Sequence, residues 1–553
     1  MISVFMRTTR RQLLKSTAVA AALWKARGLT AGVPIQGPGY SVAPGPFEPT
    51  WESLKQQYKA PEWFRDAKFG MWAHWSAQCV PEAGDWYARN MYMQGSRQYK
   101  HHLEHYGHPS KTGFMDIDHA WKAENWQPQE LLDLYFKAGA KYFMALAVHH
   151  DNFDCWQSKY HNWNSTRIGP MKDIVGTWGK LARERGLHFA VSNHSSHAWH
   201  WFQTAYGYDA EGPLANVRYD AYTLRKQDGA GKWWDGLDPQ ELYTGRNIVI
   251  PDGINTIKGQ DDWHKTHDGT WHEEAPPNNP EFTRTWYLRC QDLVDRYHPD
   301  LLYFDDTELP LGQAGLDIAA HYYNSTIKRN GKLDCVLTTK SPKPEHIGAT
   351  VLDIERGRAN KILELPWQTD TCIGDWHYDR AIYEQHRYKT AKTVVQMLVD
   401  IVSKNGNLML NIPVRGDGTI DDDERKFIRD FTSWMSVNSE AIYGTRPFQV
   451  FGEGAPDVEG SSNFNESKAR PYDARDIRFV IKGDVLYATA LGWPDNGKLM
   501  IRTLAKGSYA KLIRRIELLG ASAPLQFSQD DAGLTISLPF EKPNDYAYSF
   551  RIV

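Results

Sequence analysis

The chain has 553 residues, long enough for more than one domain and a large core. Its 64 basic and 67 acidic side chains nearly cancel, to a net charge of -3, which argues against nucleic acid or an anionic membrane surface as the main partner. The outlier is aromatic content, 22 Trp and 28 Tyr, a composition that suits large cores and stacking platforms for sugar rings equally well.

The N-terminus carries Thr9-Arg10-Arg11-Gln12-Leu13-Leu14-Lys15 ahead of a short Ala-rich apolar run. Paired arginines before such a run predict a twin-arginine-type signal peptide over residues 1–31, and so an exported, periplasmic or secreted protein. The run is too short to span a bilayer and nothing later is long and apolar enough, so no membrane span is expected. A Gly/Pro-rich stretch, residues 32–49, reads as a linker.

From there strands and helices alternate. Lys68 to Trp75 reads as a first strand. Pro128 to Ala138 reads as a helix stopped by Gly139, and Lys141 to Val148 as a buried strand running into His149-His150-Asp151. Ile174 to Arg185 is predicted helical and Leu187 to Ser192 a strand. The repeat predicts a parallel α/β fold, a TIM-type (β/α)8-like barrel over residues 50–445. No GxGxxG or P-loop supports a nucleotide-binding alternative. Residues 201–278 interrupt the alternation with Gly, Asp and Trp and read as a long insertion over the barrel face.

Glu281 to Arg296 restores helical spacing and leads to Pro299-Asp300-Leu301-Leu302-Tyr303-Phe304-Asp305-Asp306. An unbroken apolar run ending on two carboxylates reads as a barrel strand buried on both faces. Carboxylates at the C-terminal end of such a strand lie on the face that carries barrel chemistry. Asp305 is therefore taken as catalytic, and Asp306 as the cap of the following helix. A second carboxylate, Glu355, closes Val351-Leu352-Asp353-Ile354-Glu355; it either joins Asp305 or pairs with Arg356 at the surface. After Ala391 to Lys404, a further helix, the pattern changes near Thr445. Short alternating runs such as Ile477 to Ile481 and Val485 to Ala490 predict a β-sandwich over residues 446–553.

Five scattered cysteines form neither a disulfide framework nor a zinc motif. His149 and His150 are adjacent, and on a strand they would face opposite sides, so no metal is expected there. Two carboxylates at one barrel face are what glycoside hydrolysis requires, one to attack the anomeric carbon and one to protonate the leaving oxygen.

Trp63-Phe64-Arg65-Asp66-Ala67-Lys68-Phe69-Gly70, His74-Trp75, Trp86-Tyr87-Ala88-Arg89-Asn90-Met91, His149-His150-Asp151-Asn152-Phe153, the Asp305 strand and Leu398 to Ile412 form an ordered set of segments. Through them the chain resembles the α-L-fucosidases of glycoside hydrolase family 29. The resemblance implies a retaining exo-fucosidase on a (β/α)-barrel with a C-terminal β-sandwich, without cofactor, acting on a fucosylated oligosaccharide or glycoconjugate. It implies Asp305 as nucleophile and Glu355 as acid/base. Sugar contacts carry over to His74, Asp85, Trp86, His149, His150 and Asn193, an apolar wall to Tyr303, and a sugar-facing cation to Lys340. The pattern departs at Asp85 (Glu in the family), at Asp306 (Gly), at Ser192-Asn193-His194 and at Gln368 (Glu). These departures leave open a related sugar such as an α-L-galactoside; a non-catalytic carbohydrate-binding protein is the rival from another class.

Overall fold

Eight largely buried runs form the strands β1 (Phe69–Ala73), β2 (Tyr142–Val148), β3 (His188–Asn193), β4 (Leu301–Phe304), β5 (Val336–Thr339), β6 (Val351–Asp353), β7 (Trp367–Cys372) and β8 (Gly406–Asn411). In this computed structural model they pair in chain order, with β1 parallel to β8, into a closed barrel. Residues 40–455, 458–509 and 511–553 are described; the expected signal over residues 1–31 lies outside them. Val42–Val553 forms one unit. Every residue of β1, β2 and β4 is buried, as strands covered on both faces must be.

Register sets the working face. Ala73 pairs with Ala145, Ala145 with Val191, and Ser192 with Tyr303. The C-terminal ends of β1 to β4 are thus nearly level, and His74, His149, His194 and Asp305 leave the sheet on one rim. The first predicted strand is shorter than expected, ending at Ala73, so His74 belongs to the loop.

The flanking helices are α1 (Pro128–Lys137), α2 (Ile174–Glu184), α3 (Pro280–Tyr297), α4 (Gln313–Asn330), α5 (Ala391–Ser403) and α6 (Asp422–Asn438). Their ends follow local chemistry. Pro128 opens α1, where its missing N–H costs nothing. Asp421 and Glu424 cap α6 reciprocally, each side chain accepting from the other's backbone N–H at 2.9 and 2.8 Å. Gly186 ends α2 with φ 71°, a conformation other residues adopt only at a cost. No α-helix lies between β5 and β6 or between β6 and β7, so the barrel is irregular there.

The last part of the expected linker is not free. Phe47 is buried, and Asn324 of α4 hydrogen-bonds both its N–H and its carbonyl, at 3.0 and 2.8 Å. The 201–278 segment folds into short helices, Asp220–Thr223, Pro239–Leu242 and Ile257–Thr266 among them. It is tied down by buried pairs such as Arg89–Asp268 at 2.7 Å. All five cysteines are buried and unpaired.

Beyond the barrel, β9 (Arg446–Glu453), β10 (Ile477–Lys482), β11 (Val485–Ala490), β12 (Lys498–Ile501), β13 (Ile516–Leu518), β14 (Phe527–Asp530), β15 (Gly533–Ser537) and β16 (Tyr548–Ile552) follow. They form a five-stranded sheet ordered β13-β16-β11-β10-β9 and a three-stranded sheet ordered β12-β15-β14. Phe479, Leu486, Ile501, Leu534 and Phe550 fill the space between them.

Candidate active site

A cavity of about 500 Å³ opens at the C-terminal rim of the barrel. Asp305 lies on it one residue past β4. Its Oδ2 is 3.1 Å from His150 Nε2 and 3.2 Å from His194 Nδ1, and its Oδ1 contacts the Lys340 ammonium. Burial opposes its ionisation, but Lys340, His194 and the hydrogen bonds from His150 and His194 prevail and hold it well below the usual carboxylate range.

Glu355 faces the same cavity from two residues past β6. Its Oε2 meets the same Lys340 ammonium and its Oε1 accepts from Trp376 Nε1 at 3.2 Å. Burial, reinforced by the nearby Asp370 and Asp305 charges and opposed by Lys340, pushes Glu355 up to about 7. Arg356 turns away to the Gly374 carbonyl at 2.9 Å and to Glu466 at 3.4 Å, so the surface Glu355–Arg356 pair is not formed. One carboxyl held ionised and another held near neutrality is the division of labour that acid and nucleophile need.

The structure brings together most of the residues singled out by sequence. His74 lies on the cavity with both ring nitrogens buried and without a hydrogen-bond partner. His149 Nδ1 takes the Gln78 amide at 2.8 Å, which leaves Nε2–H as its donor. His150 gives Nδ1–H to the His194 carbonyl at 2.7 Å and sits behind Asp305. The two histidines do not face opposite ways: β2 ends at Val148, so strand alternation no longer governs them. Asp85 Oδ1 lies 2.5 Å from His377 Nδ1, and Trp86, with φ 59°, turns its ring to the opening. Tyr303 packs on Trp72 (centroids 5.3 Å apart), forming an apolar wall, while its hydroxyl donates to Asp370 Oδ2 at 2.9 Å. Lys340 lines the cavity and bridges the two carboxylates.

Two expectations need correction. Asn193 does not line the cavity; it is buried, its amide directed to Cys290 Sγ at 3.2 Å and its Oδ1 accepting from Ser195 N at 2.9 Å, a local turn bond. Asp306 caps no helix, because α4 starts only at Gln313; it is buried against Ser196 and His197. Gln368 sits deeper, between Tyr142 Oη at 2.9 Å and Asp353 Oδ1 at 2.8 Å, away from the cavity.

Other lining groups had no sequence signal. Trp271 arrives from the insertion, Trp376 from the loop after β7, and Asn463 and Phe464 from the segment between β9 and β10. Asn463 Oδ1 accepts from the Glu355 N–H at 3.0 Å and the Phe464 N–H donates to the Glu355 carbonyl at 2.8 Å. His194, by contrast, falls two residues past the strand predicted at Leu187 to Ser192.

Comparison with known proteins identifies the family. The α-L-fucosidase family model matches residues 38–440, and that of the α-L-fucosidase C-terminal domain residues 473–553. The chain is 26% identical over 520 residues to the tissue alpha-L-fucosidase of Homo sapiens, covering 92% of each, and 25% identical over 512 residues to that of Rattus norvegicus, covering 91% of each. In fold it is similar to the Thermotoga maritima alpha-fucosidase solved in complex with fucose, with a TM-score of 0.66 and 24% identity over 92% of this chain and 100% of that one. With both of its parts matched in order, the chain belongs to the α-L-fucosidases, glycoside hydrolases of family 29.

Proposed function

We propose that the protein is a retaining exo-α-L-fucosidase that removes terminal α-L-fucosyl residues from glycans by double displacement. Asp305 attacks the anomeric carbon and expels the aglycone, whose oxygen takes the proton of Glu355. Glu355 then draws a proton from water as that water breaks the fucosyl-Asp305 ester, restoring both groups. The observation that carries the reading is the single Lys340 ammonium touching both carboxylates. Two oxygens on one ammonium lie within about 5.6 Å of each other, twice a charge-assisted contact. That supports the short spacing of a retaining pair, below the roughly 6.5–9.5 Å of an inverting one.

His74, Asp85 with His377, and His149 supply donors and acceptors suited to ring hydroxyls, and Trp72, Tyr303 and Trp376 an apolar surface suited to a methyl group. Export through the paired-arginine N-terminus is part of the same proposal. The test is a panel of aryl α-L-fucosides, α-L-galactosides and other glycosides, followed by NMR of the first product. Release of α-L-fucose as the initial anomer supports the reading. Initial β-anomer would refute retention, preference for the galactoside would reassign the sugar, and inertness to the whole panel would favour a binding protein.

A further inference from the structure

Behind the wall that carries Asp305, three side chains from distant parts of the chain meet. One donor atom each of His197, Glu273 and Asp306 lies within 4.8 Å of the other two. His197 and Asp306 are fully buried, and none of the three lines the catalytic cavity.

A relay of hydrogen bonds sets the state of the His197 ring. His200 Nδ1 is 2.9 Å from the Asp268 carbonyl, which only accepts, so that nitrogen carries a proton. In the neutral, buried ring its Nε2 is therefore a lone pair. His197 Nδ1, 3.1 Å from that lone pair, holds the His197 proton. In the neutral ring its Nε2 is then the bare nitrogen. That nitrogen is 2.9 Å from Asp306 Oδ1 yet forms no hydrogen bond with it.

The two carboxylates are similarly placed. Asp306 accepts the Ser196 hydroxyl at 2.9 Å. Glu273 Oε1 accepts from Thr307 N and Oγ1 at 2.9 and 2.7 Å, and its carboxyl lies within hydrogen-bonding reach of Asp306. Among the described residues no Lys or Arg pairs with either. An imidazole nitrogen and two carboxyls thus converge with no Lys or Arg paired to them, an arrangement that is costly in a low-dielectric interior.

We propose that His197, Glu273 and Asp306 form a binding site for a divalent first-row cation, with Zn²⁺ as the probe. One imidazole and two carboxylates are a donor set for zinc or manganese. Each ligand is already oriented by a further bond, His197 by His200, Asp306 by Ser196 and Glu273 by Thr307. The role is structural. Glu273 lies two residues from Trp271, whose ring packs on His197 (centroids 3.7 Å) and lines the cavity, and Asp306 follows Asp305. The ion ties the insertion to the end of β4. Because the ligands come from three separate segments, no short ligand motif announces them.

The test strips the full-length protein with a chelator, reloads it with Zn²⁺, removes loose ion by gel filtration and measures the metal retained. The expected result is about one equivalent, a rise of a few degrees in Tm at saturating Zn²⁺, and zinc-edge anomalous density between the three side chains. Glu273→Gln should cut the retained zinc by tenfold or more and abolish the Tm shift. Absence of retained zinc in the parent, equal retention in Glu273→Gln, or density only at other histidines such as His74 and His149 would overturn the proposal. If Glu273→Gln does not fold, the anomalous density of the parent decides alone.

Discussion

Lys340→Met is the most informative single change, because one ammonium sets the charge state of both carboxyls. At a charge-assisted contact of about 2.8 Å and an effective dielectric near 20, each Lys340–carboxylate interaction is about 6 kcal/mol. At 1.36 kcal/mol per pKa unit that is about four units; relaxation of the carboxylates and entry of water reduce it to an expected one or two. The sign is the same for both groups. Without the cation, Asp305 loses what holds it low and Glu355 loses what opposes its burial, so both pKa values rise. Asp305 must be ionised to attack and Glu355 protonated to donate. The acid limb of kcat/KM therefore moves to higher pH by at least about one unit, and the alkaline limb moves up from near 7. The assay is a pH profile of kcat/KM with an aryl α-L-fucoside, checked by circular dichroism for an intact fold. Limbs unmoved within a few tenths of a unit, with kcat/KM within twofold of the parent, would refute the reasoning.

Asp305→Gly should abolish turnover while Tm stays within a few degrees, and azide should restore cleavage of an activated aryl fucoside, giving a glycosyl azide of inverted configuration; activity near the parent level removes Asp305 from the role. Glu355→Gln should slow alkyl fucosides at least a hundredfold more than aryl fucosides with acidic phenols, since only poor leaving groups need the proton; equal slowing would transfer the role to another carboxyl. His74→Ala removes a ring whose two nitrogens have no partner within the protein, so kcat/KM should fall by roughly 5- to 150-fold, the equivalent of 1–3 kcal/mol, with little loss of stability. A large fall in Tm with unchanged kinetics would make His74 a core residue instead. Asn463→Ala should lower kcat/KM through the loosened Glu355 backbone, most for substrates with poor leaving groups; an unchanged profile would show that this bond positions nothing.

The barrel was legible because its information is local. Continuous apolar runs such as Tyr142–Val148 have one way to be buried, between a pore-facing and a helix-facing layer, and Pro128, Gly139 and Gly186 mark helix ends by their own backbone limits. The polar residues closing those runs, His74, His149 and Asp305, could be placed on one rim, because in a parallel barrel all strand ends face the same way. β5 and β7 escaped notice: Val336–Thr339 and Trp367–Cys372 are buried but carry Thr, Gln and Asp, so hydropathy hides them.

What tertiary structure alone decided is how groups far apart in sequence are charged and joined. Whether Glu355 met Asp305 or Arg356 depended on which way two neighbouring side chains turned, and Lys340 from the end of β5 settled it by lying between the carboxylates. Asn193 and His194 differ by one position, yet one bonds its own turn and the other reaches Asp305, since side-chain direction at a strand end is set by the loop that follows. Asp306 looked like a helix cap until the helix proved to start later, leaving it buried beside His197 and Glu273. Asn463 and Trp271 come from segments whose composition says only loop, and their place at the cavity follows from long-range docking. Burial and through-space charge depend on three-dimensional neighbours, which a linear pattern does not encode locally.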